Sequence, residues 1–326
     1  MAMRDALGVG ALNLDLIYQV DDLNLGGMRL RPGGEIAADD ERFTALMDDV
    51  LARGRLLGRS GGGSAANAIT AMARMGMRTG FIGTVGADEE GEFLLKEMAG
   101  TDLKGVAMKG RSGVCLSLLA GNDRSLVVRP NANDMLTIGP AEIELANTYH
   151  AVHMSSFSGD AALKAQIALT EALVDEVMMS FDPGMKYVSR GLEQILPLVR
   201  RTDVLFVGER ELAKLTGMGG EEGAFRIIEL GPDIVVLKKG AEGSVIFADG
   251  ERHPIPAVSA NVVDTTGAGD VFAGAFITGL LKRWGLKTSA RFASEAAARS
   301  VEAPGRERYP DRGSLAEFSR RRGEKA

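Results

Sequence analysis

The chain has 326 residues, 45% of them hydrophobic and 25% charged, so it can bury one large core and has the size of a single α/β domain with an appendage. A formal net charge of −6 argues against nonspecific binding to nucleic acid or to an anionic membrane as its main task, so neither is expected as a partner. Cys115 is the only cysteine, which excludes an intrachain disulfide, and no window approaches the ~18 apolar residues of a membrane span, so the cytoplasm is the expected compartment.

In chain order, Leu7 to Ala11 reads as a strand, and Leu16 to Val20 alternates apolar and polar residues as another. Within the long stretch Asn24 to Ser60, residues Phe43, Leu46, Met47, Val50 and Leu51 recur at helical spacing and predict an amphipathic helix over Asp39 to Leu57, packed on the body of the domain. Gly61-Gly62-Gly63-Ser64-Ala65-Ala66-Asn67 is a glycine-rich turn into an Ala-rich helix, Ala65 to Met75, with Asn67 one turn inside it. A strand over Thr79 to Val85 and a helix over Glu92 to Ala99 follow. Gly113 to Leu119 and Ser125 to Val128 flank Gly121-Asn122-Asp123, the pattern of a β-hairpin, which is marginal in water unless it packs on something. Ala151 to Ser155, Glu176 to Phe181, Val204 to Val207 and Ile234 to Leu237 are short strands separated by helical stretches. This rhythm predicts a mostly parallel sheet with helices on both faces, whose ligands sit beyond the carboxyl ends of the strands.

The run Asp264-Thr265-Thr266-Gly267-Ala268-Gly269-Asp270 then enters the helical stretch Val271 to Phe276. Unpaired backbone N–H groups at a helix start, with the aligned peptide dipoles, make a site for an anion such as phosphate, and the glycines let the main chain come close to it. A carboxylate repels phosphate, so Asp270 makes more sense as a base facing a hydroxyl beside that phosphate. Base and anion cradle together point to phosphoryl transfer. His150 and His153 have no third partner at metal-ligand spacing and read as ordinary strand histidines.

These segments resemble, over nearly the whole chain and in the family's order, the ribokinase-like (PfkB) family of carbohydrate and nucleoside kinases. That family carries Gly-Gly-x-x-x-Asn near its N-terminus, matched by Gly62, Gly63 and Asn67, and Asp-Thr-x-Gly-Ala-Gly-Asp near its C-terminus, matched by Asp264 to Asp270. Gly8 to Asp15 looks like its first strand and sugar-binding Asn-x-Asp, at Asn13 and Asp15. Gly86 to Gly91 resembles its Gly-x-Asp-x-x-Gly, and Lys239-Gly240-Ala241-Glu242-Gly243 its nucleotide-side glycine turn. One departure stands out. The family's Asn-x-x-Glu, which follows the strand before the nucleotide site, is here Gly208-Glu209-Arg210-Glu211, so only Glu211 is carried over.

The resemblance implies a three-layer α/β/α fold with a mostly parallel central sheet and a small β-sheet lid. Residues 1–15, 33–110 and 132–326 would form the body and 16–32 and 111–131 the lid. It implies an ATP-dependent kinase acting on a primary hydroxymethyl group of a sugar, with a nucleoside as the alternative acceptor and a non-catalytic binding protein as the remaining one. Asn13, Asp15, Gly62, Gly63 and Asn67 would hold the acceptor. Asp270 would be the base, and the backbone of Gly267, Ala268 and Gly269 would cradle the transferred group. Thr265, Lys239, Gly240 and Gly243 would border the nucleotide, Glu211 would help place magnesium through water, and Asp264 would border a monovalent cation such as potassium. A homodimer formed through the lid edge is a further expectation. A Rossmann dehydrogenase does not fit, because no Gly-x-Gly-x-x-Gly follows the first strand, and no Gly-x-x-x-x-Gly-Lys-Ser/Thr marks a Walker-type NTPase.

Overall fold

The computed structural model describes residues 3–121 and 123–322. Nine strands form the main sheet in the order Glu251–Ile255, Ser244–Ala248, Ile234–Lys238, Val204–Gly208, Met178–Asp182, Tyr149–Ser155, Arg4–Val9, Thr79–Val85 and Thr101–Met108. From Ile234–Lys238 to Thr101–Met108 all neighbours are parallel, and the last hairpin, Ser244–Ala248 with Glu251–Ile255, closes one edge antiparallel. The central strands are apolar along their length, Thr79–Val85 being buried throughout, as a sheet covered on both faces requires. One face is covered by the helices Ser64–Arg74, Ala268–Leu281, Leu286–Ser300 and Arg312–Arg321, the other by a set that includes Asp160–Ala172, Leu192–Arg201 and Gly220–Ile228. The three-layer arrangement is the one expected.

A second, mixed sheet runs Glu35–Ala37, Asp123–Arg129, Gly113–Ala120, Asn13–Gln19 and Arg55–Gly62. The predicted hairpin is there, Asp123–Arg129 antiparallel to Gly113–Ala120, while its corner residue Asn122 lies outside the described residues. The small sheet also takes in residues 35–37 and 55–62, on either side of the helix Asp40–Arg53. That helix forms where its spacing predicted it, with Asp39 capping its start by accepting from the Arg42 N–H. It does not pack on the body. Phe43, Leu46 and Val50 bury themselves against Tyr18, Leu116, Leu118 and Val127 of the small sheet. Amphipathicity says that a face must be covered and not by what. Here the apolar side chains of the small sheet take it, and each fully buried side chain contributes about 1.5–3 kcal/mol.

The two sheets meet where the site lies. The strand Arg4–Val9 ends at the main sheet's carboxyl edge, and four residues later the chain enters the small sheet at Asn13. Asn13 pairs with Gly62 on one side and with Gly113 on the other, so the residues that open all three strands' connections to the body sit at one seam. Among the described residues no helix is long and apolar enough to cross a membrane.

Candidate active site

Asp270 stands in the first turn of the helix Ala268–Leu281, behind Gly267, which has φ +77°. A side chain at Gly267 would be strained by that φ, and its Cβ would come within 2.7 Å of the Tyr309 hydroxyl. The helix lies directly on Ser64–Arg74, and Gly274 is what permits the approach, since a Cβ there would sit 2.5 Å from the Ala68 carbonyl oxygen. This packing brings together two side chains that are 203 positions apart: Asn67 Nδ2 donates to Asp270 Oδ2 at 2.9 Å. Arg306 Nε donates to Asn67 Oδ1 at 3.1 Å. A guanidinium can only donate, so it takes the amide oxygen and leaves the amide nitrogen to Asp270. Burial pushes Asp270 up to about 6, with Asp182 adding to the rise, against the Asn67 hydrogen bond and the Lys238 ammonium, which favour the carboxylate.

Asp15 faces the same space from the small sheet. Its carboxylate lies on Gly62, where a Cβ would be 2.1 Å from Oδ2, so that position has to be glycine. Burial pushes Asp15 up to about 7, opposed by Arg306 and Lys186 and aided by Asp270 and Glu35. Asn13 is buried beside it, its Oδ1 accepting from Asn133 Nδ2 at 2.8 Å. Gly63 has φ +102°, and a Cβ there would be 2.0 Å from the Ala11 carbonyl oxygen, so the turn into the Asn67 helix also depends on glycine. Asn13, Asp15, Asn67 and Asp270 thus line one cavity of about 240 Å³, together with Arg306 and Tyr309.

A second cavity of about 650 Å³ lies on the other side of the Thr265–Asp270 turn, walled by small and apolar residues that include Gly240, Gly243, Thr265, Gly269, Phe272 and Val301. The turn is the partition. Thr266, Gly267 and Asp270 line the first cavity, and Thr265, Ala268 and Gly269 line the second. Gly243, at φ +93°, closes the short turn that follows the strand Ile234–Lys238, and a Cβ on it would strike the Ile255 carbonyl oxygen at 2.2 Å.

The lysine that lines the second cavity is Lys238, one place before the residue expected there. Lys239 points to Glu242 at 2.9 Å and Glu209 at 3.3 Å on the exposed side. Lys238 forms an ion pair with Asp182. Burial opposes its charge, but Asp182, Glu211 and Asp270 outweigh that and hold it protonated. A Cβ on Gly269 would lie 3.5 Å from its Nζ, so the ammonium stands beside the turn. Glu211 accepts from the Gly208 N–H at 2.7 Å, and burial, then Asp182, raises its pKa. Gly208 is therefore the N-cap of the helix Glu209–Thr216, and the backbone group of the residue that replaces the family's asparagine is satisfied by the glutamate three places on. Asp264 orders the turn from behind: Oδ1 accepts from Thr266 N at 2.9 Å, Oδ2 from Gly305 N at 3.4 Å, and Arg124 lies 3.9 Å away.

Among the described residues no group of three or more His, Cys, Asp or Glu side chains is set to hold a metal. Asp182 and Glu211, two carboxylates beside Lys238 and the turn, fit a magnesium ion bound chiefly through nucleotide phosphates and water rather than in a protein cage. His153 is buried on Ser180 Oγ at 3.0 Å, with burial lowering its pKa to about 4, in keeping with a core histidine. Asp182 both caps its turn, accepting from Gly184 N at 3.2 Å, and pairs with Lys238. Lys238, Arg306, Tyr309 and Asn133 carried no motif that singled them out, though Lys238 stands at a strand's carboxyl end; Asp182-Pro183-Gly184 reads from sequence as a strand-end turn first and as a contact to the metal region second.

The model of the pfkB family of carbohydrate kinases matches residues 34–310. The chain is 35% identical to an uncharacterized sugar kinase of Archaeoglobus fulgidus, over 71% of this chain and 94% of that one. It is 32% identical to the ATP-dependent ribose-1-phosphate kinase of Halopiger xanaduensis, over 80% of this chain and 86% of that one. Among solved structures, Arabidopsis thaliana ribokinase complexed with ribose and ATP matches with a TM-score of 0.78 at 24% identity, covering 97% of this chain and 98% of that chain, so the fold is ribokinase-like.

Proposed function

The chain belongs to the pfkB family of carbohydrate kinases, phosphotransferases with an alcohol group as acceptor, and on that premise we propose that it transfers the γ-phosphoryl group of ATP to the primary hydroxyl of a sugar, with Asp270 as the base. The observation that carries the reading is the partition: one turn of backbone separates the cavity holding Asp270, lined by carboxylates, amides and cations beside apolar side chains, from a larger, mainly apolar one bordered by Lys238.

Asn13, Asp15 and Asn67 would hold ring hydroxyls of the acceptor, since short side chains with fixed partners discriminate hydroxyl positions by paired hydrogen bonds. Asp270 would take the proton of the attacking hydroxyl as its oxygen bonds to the γ-phosphorus, and the bond to the β–γ bridging oxygen would break to release ADP. Backbone N–H groups of Gly267 to Asp270 would meet the charge on the transferred group, aided by the helix start they belong to, while Lys238 would stand beside the phosphates from the donor side. Asp182 and Glu211 would help hold magnesium, which would supply charge neutralisation on the phosphates. A sugar is favoured over a nucleoside because carboxylates, amides and cations share the walls of the acceptor cavity with Ile17, Leu126, Val128 and Met185, and Tyr309 is the one aromatic residue lining it.

Potassium enters the proposal as an ion that Asp264 and nearby carbonyls would hold against the turn. Rates should be higher in potassium than in a large inert cation, and equal rates would remove it. The base assignment is tested by Asp270→Asn, which should lower turnover by roughly 10²–10⁴-fold with donor binding and folding intact; near-wild-type turnover would refute it.

A further inference from the structure

Three cations reach the acceptor cavity from three different elements: Arg124 from the small sheet, Lys186 from the short helix Gly184–Val188, and Arg306 from the segment between the last two helices. Two of them are matched. Lys186 Nζ pairs with Glu35 at 2.6 Å, and Arg124 donates to the Thr266 hydroxyl and stands 3.9 Å from Asp264. Arg306 is not matched. It is 6% exposed, and its hydrogen bonds go to two neutral oxygens, Asn67 Oδ1 at 3.1 Å and the Glu97 carbonyl at 3.4 Å. Its Nη2 has no partner, and among the described residues no carboxylate forms an ion pair with it.

A buried guanidinium without a counter-charge is costly, and a nitrogen left unpaired adds to that cost. The chain nevertheless makes room for the group. A Cβ on Gly61 would lie 2.9 Å from Nη1 and 3.1 Å from the central carbon, so the glycine before the Gly62-Gly63 pair is the space the guanidinium occupies. Asp15 acts on Arg306 through its field alone, and since burial lifts Asp15 to about 7 it is a partial counter-charge near neutral pH.

Building on the kinase reading above, we propose that the acceptor is a sugar that already carries an anionic group, a phosphate or a carboxylate, and that Arg306 is the residue that selects it. The ligand's anion supplies the counter-charge that the chain withholds, on a donor whose planar fork suits both oxyanions. Arg306 also orients Asn67, so its loss changes turnover in any case. The decisive quantity is therefore the ratio between anionic and neutral acceptors, which a purely structural role leaves unchanged.

The experiment measures equilibrium binding by calorimetry, without donor, to the full-length protein and to Arg306→Met and Arg306→Lys. The probes are ribose and ribose 1-phosphate, fructose and fructose 1-phosphate, and glucose and gluconate. ADP release from ATP and magnesium is followed in parallel. In the native protein the anionic member of at least one pair should bind roughly tenfold or more tightly than its neutral partner; Arg306→Met should erase that preference and Arg306→Lys restore part of it. The phosphate and carboxylate pairs separate the two sources of charge. Equal binding within every pair, preference for the neutral member, binding of none of the anionic sugars, or a preference that survives in Arg306→Met overturns the proposal. If Arg306→Met does not fold, Arg306→Lys decides: a preference weaker than in the native protein supports the proposal, and an undiminished one overturns it. Failure of the kinase reading is a different result, namely anionic preference in binding with no ADP release from any acceptor.

Discussion

At Asp270 burial and the field of Asp182 favour the protonated acid while the Asn67 amide and the Lys238 ammonium favour the carboxylate, and the balance leaves the group titrating at about 6. A base must be ionised to accept a proton, so kcat/KM should fall on the acid side with an apparent pKa near 6. Asn67→Ala removes an interaction that favours the carboxylate and should move that limb to higher pH; a limb that stays in place, or moves down, contradicts the assignment. The same shift has a consequence for folding. A carboxyl group whose pKa is higher in the folded than in the unfolded chain binds more protons when folded between the two values, so stability drops as pH rises from about 4 through about 6. Asp270→Asn should therefore melt higher than the native protein at pH 8, with the difference shrinking towards pH 4. The residues that make this balance differed in how visible they were. Gly267, Gly63 and Gly62 stand out in sequence because positive φ and close approach are local demands that glycine answers. Arg306, Lys238 and Asn133 do not, because nothing in their own neighbourhoods records the partner 100 or more positions away, or the neighbouring strand end, that gives them a role.

Two helices, Ser64–Arg74 and Ala268–Leu281, carry the Asn67–Asp270 pair, and their separation at Gly274 sets whether the pair can meet. Gly274→Val should cost about 1–3 kcal/mol by overpacking against the Ala68 carbonyl and should reduce turnover more than acceptor affinity, because the base moves while most hydroxyl ligands stay. Gly269→Ala is the comparison for stability: its Cβ would meet Lys238 at an ordinary 3.5 Å. Urea unfolding of the two variants reads the difference, and equal costs would show that the helix contact is not what positions the pair. The alternation of strands and helices was legible because period and length are local properties, and the main sheet follows it closely. The helix Asp40–Arg53 shows the limit. Its apolar stripe was plain, yet its partner was the small sheet and not the body, since a stripe encodes the need for cover and leaves the choice to the competing surfaces.

Across the whole molecule, a nine-stranded sheet supplies a carboxyl edge, a five-stranded sheet lines the cavity that holds Asp270, and one helix-entrance turn lies between that cavity and the larger one, the proposed acceptor and donor spaces. Arg124, on the small sheet, donates to Thr266 in that turn, so the small sheet and the proposed phosphate cradle are joined directly. In the proposed reaction a cover of this kind would exclude water and protect the donor from hydrolysis. The division of space at the turn is the central claim, and its most direct test is ADP release from ATP and magnesium across a panel of neutral sugars, sugar phosphates, sugar acids and nucleosides, with the native protein and Asp270→Asn side by side. A selective signal from sugars that disappears in Asp270→Asn is the predicted result; a signal that persists in the variant, or silence with every acceptor from folded protein that binds ATP, would contradict the account.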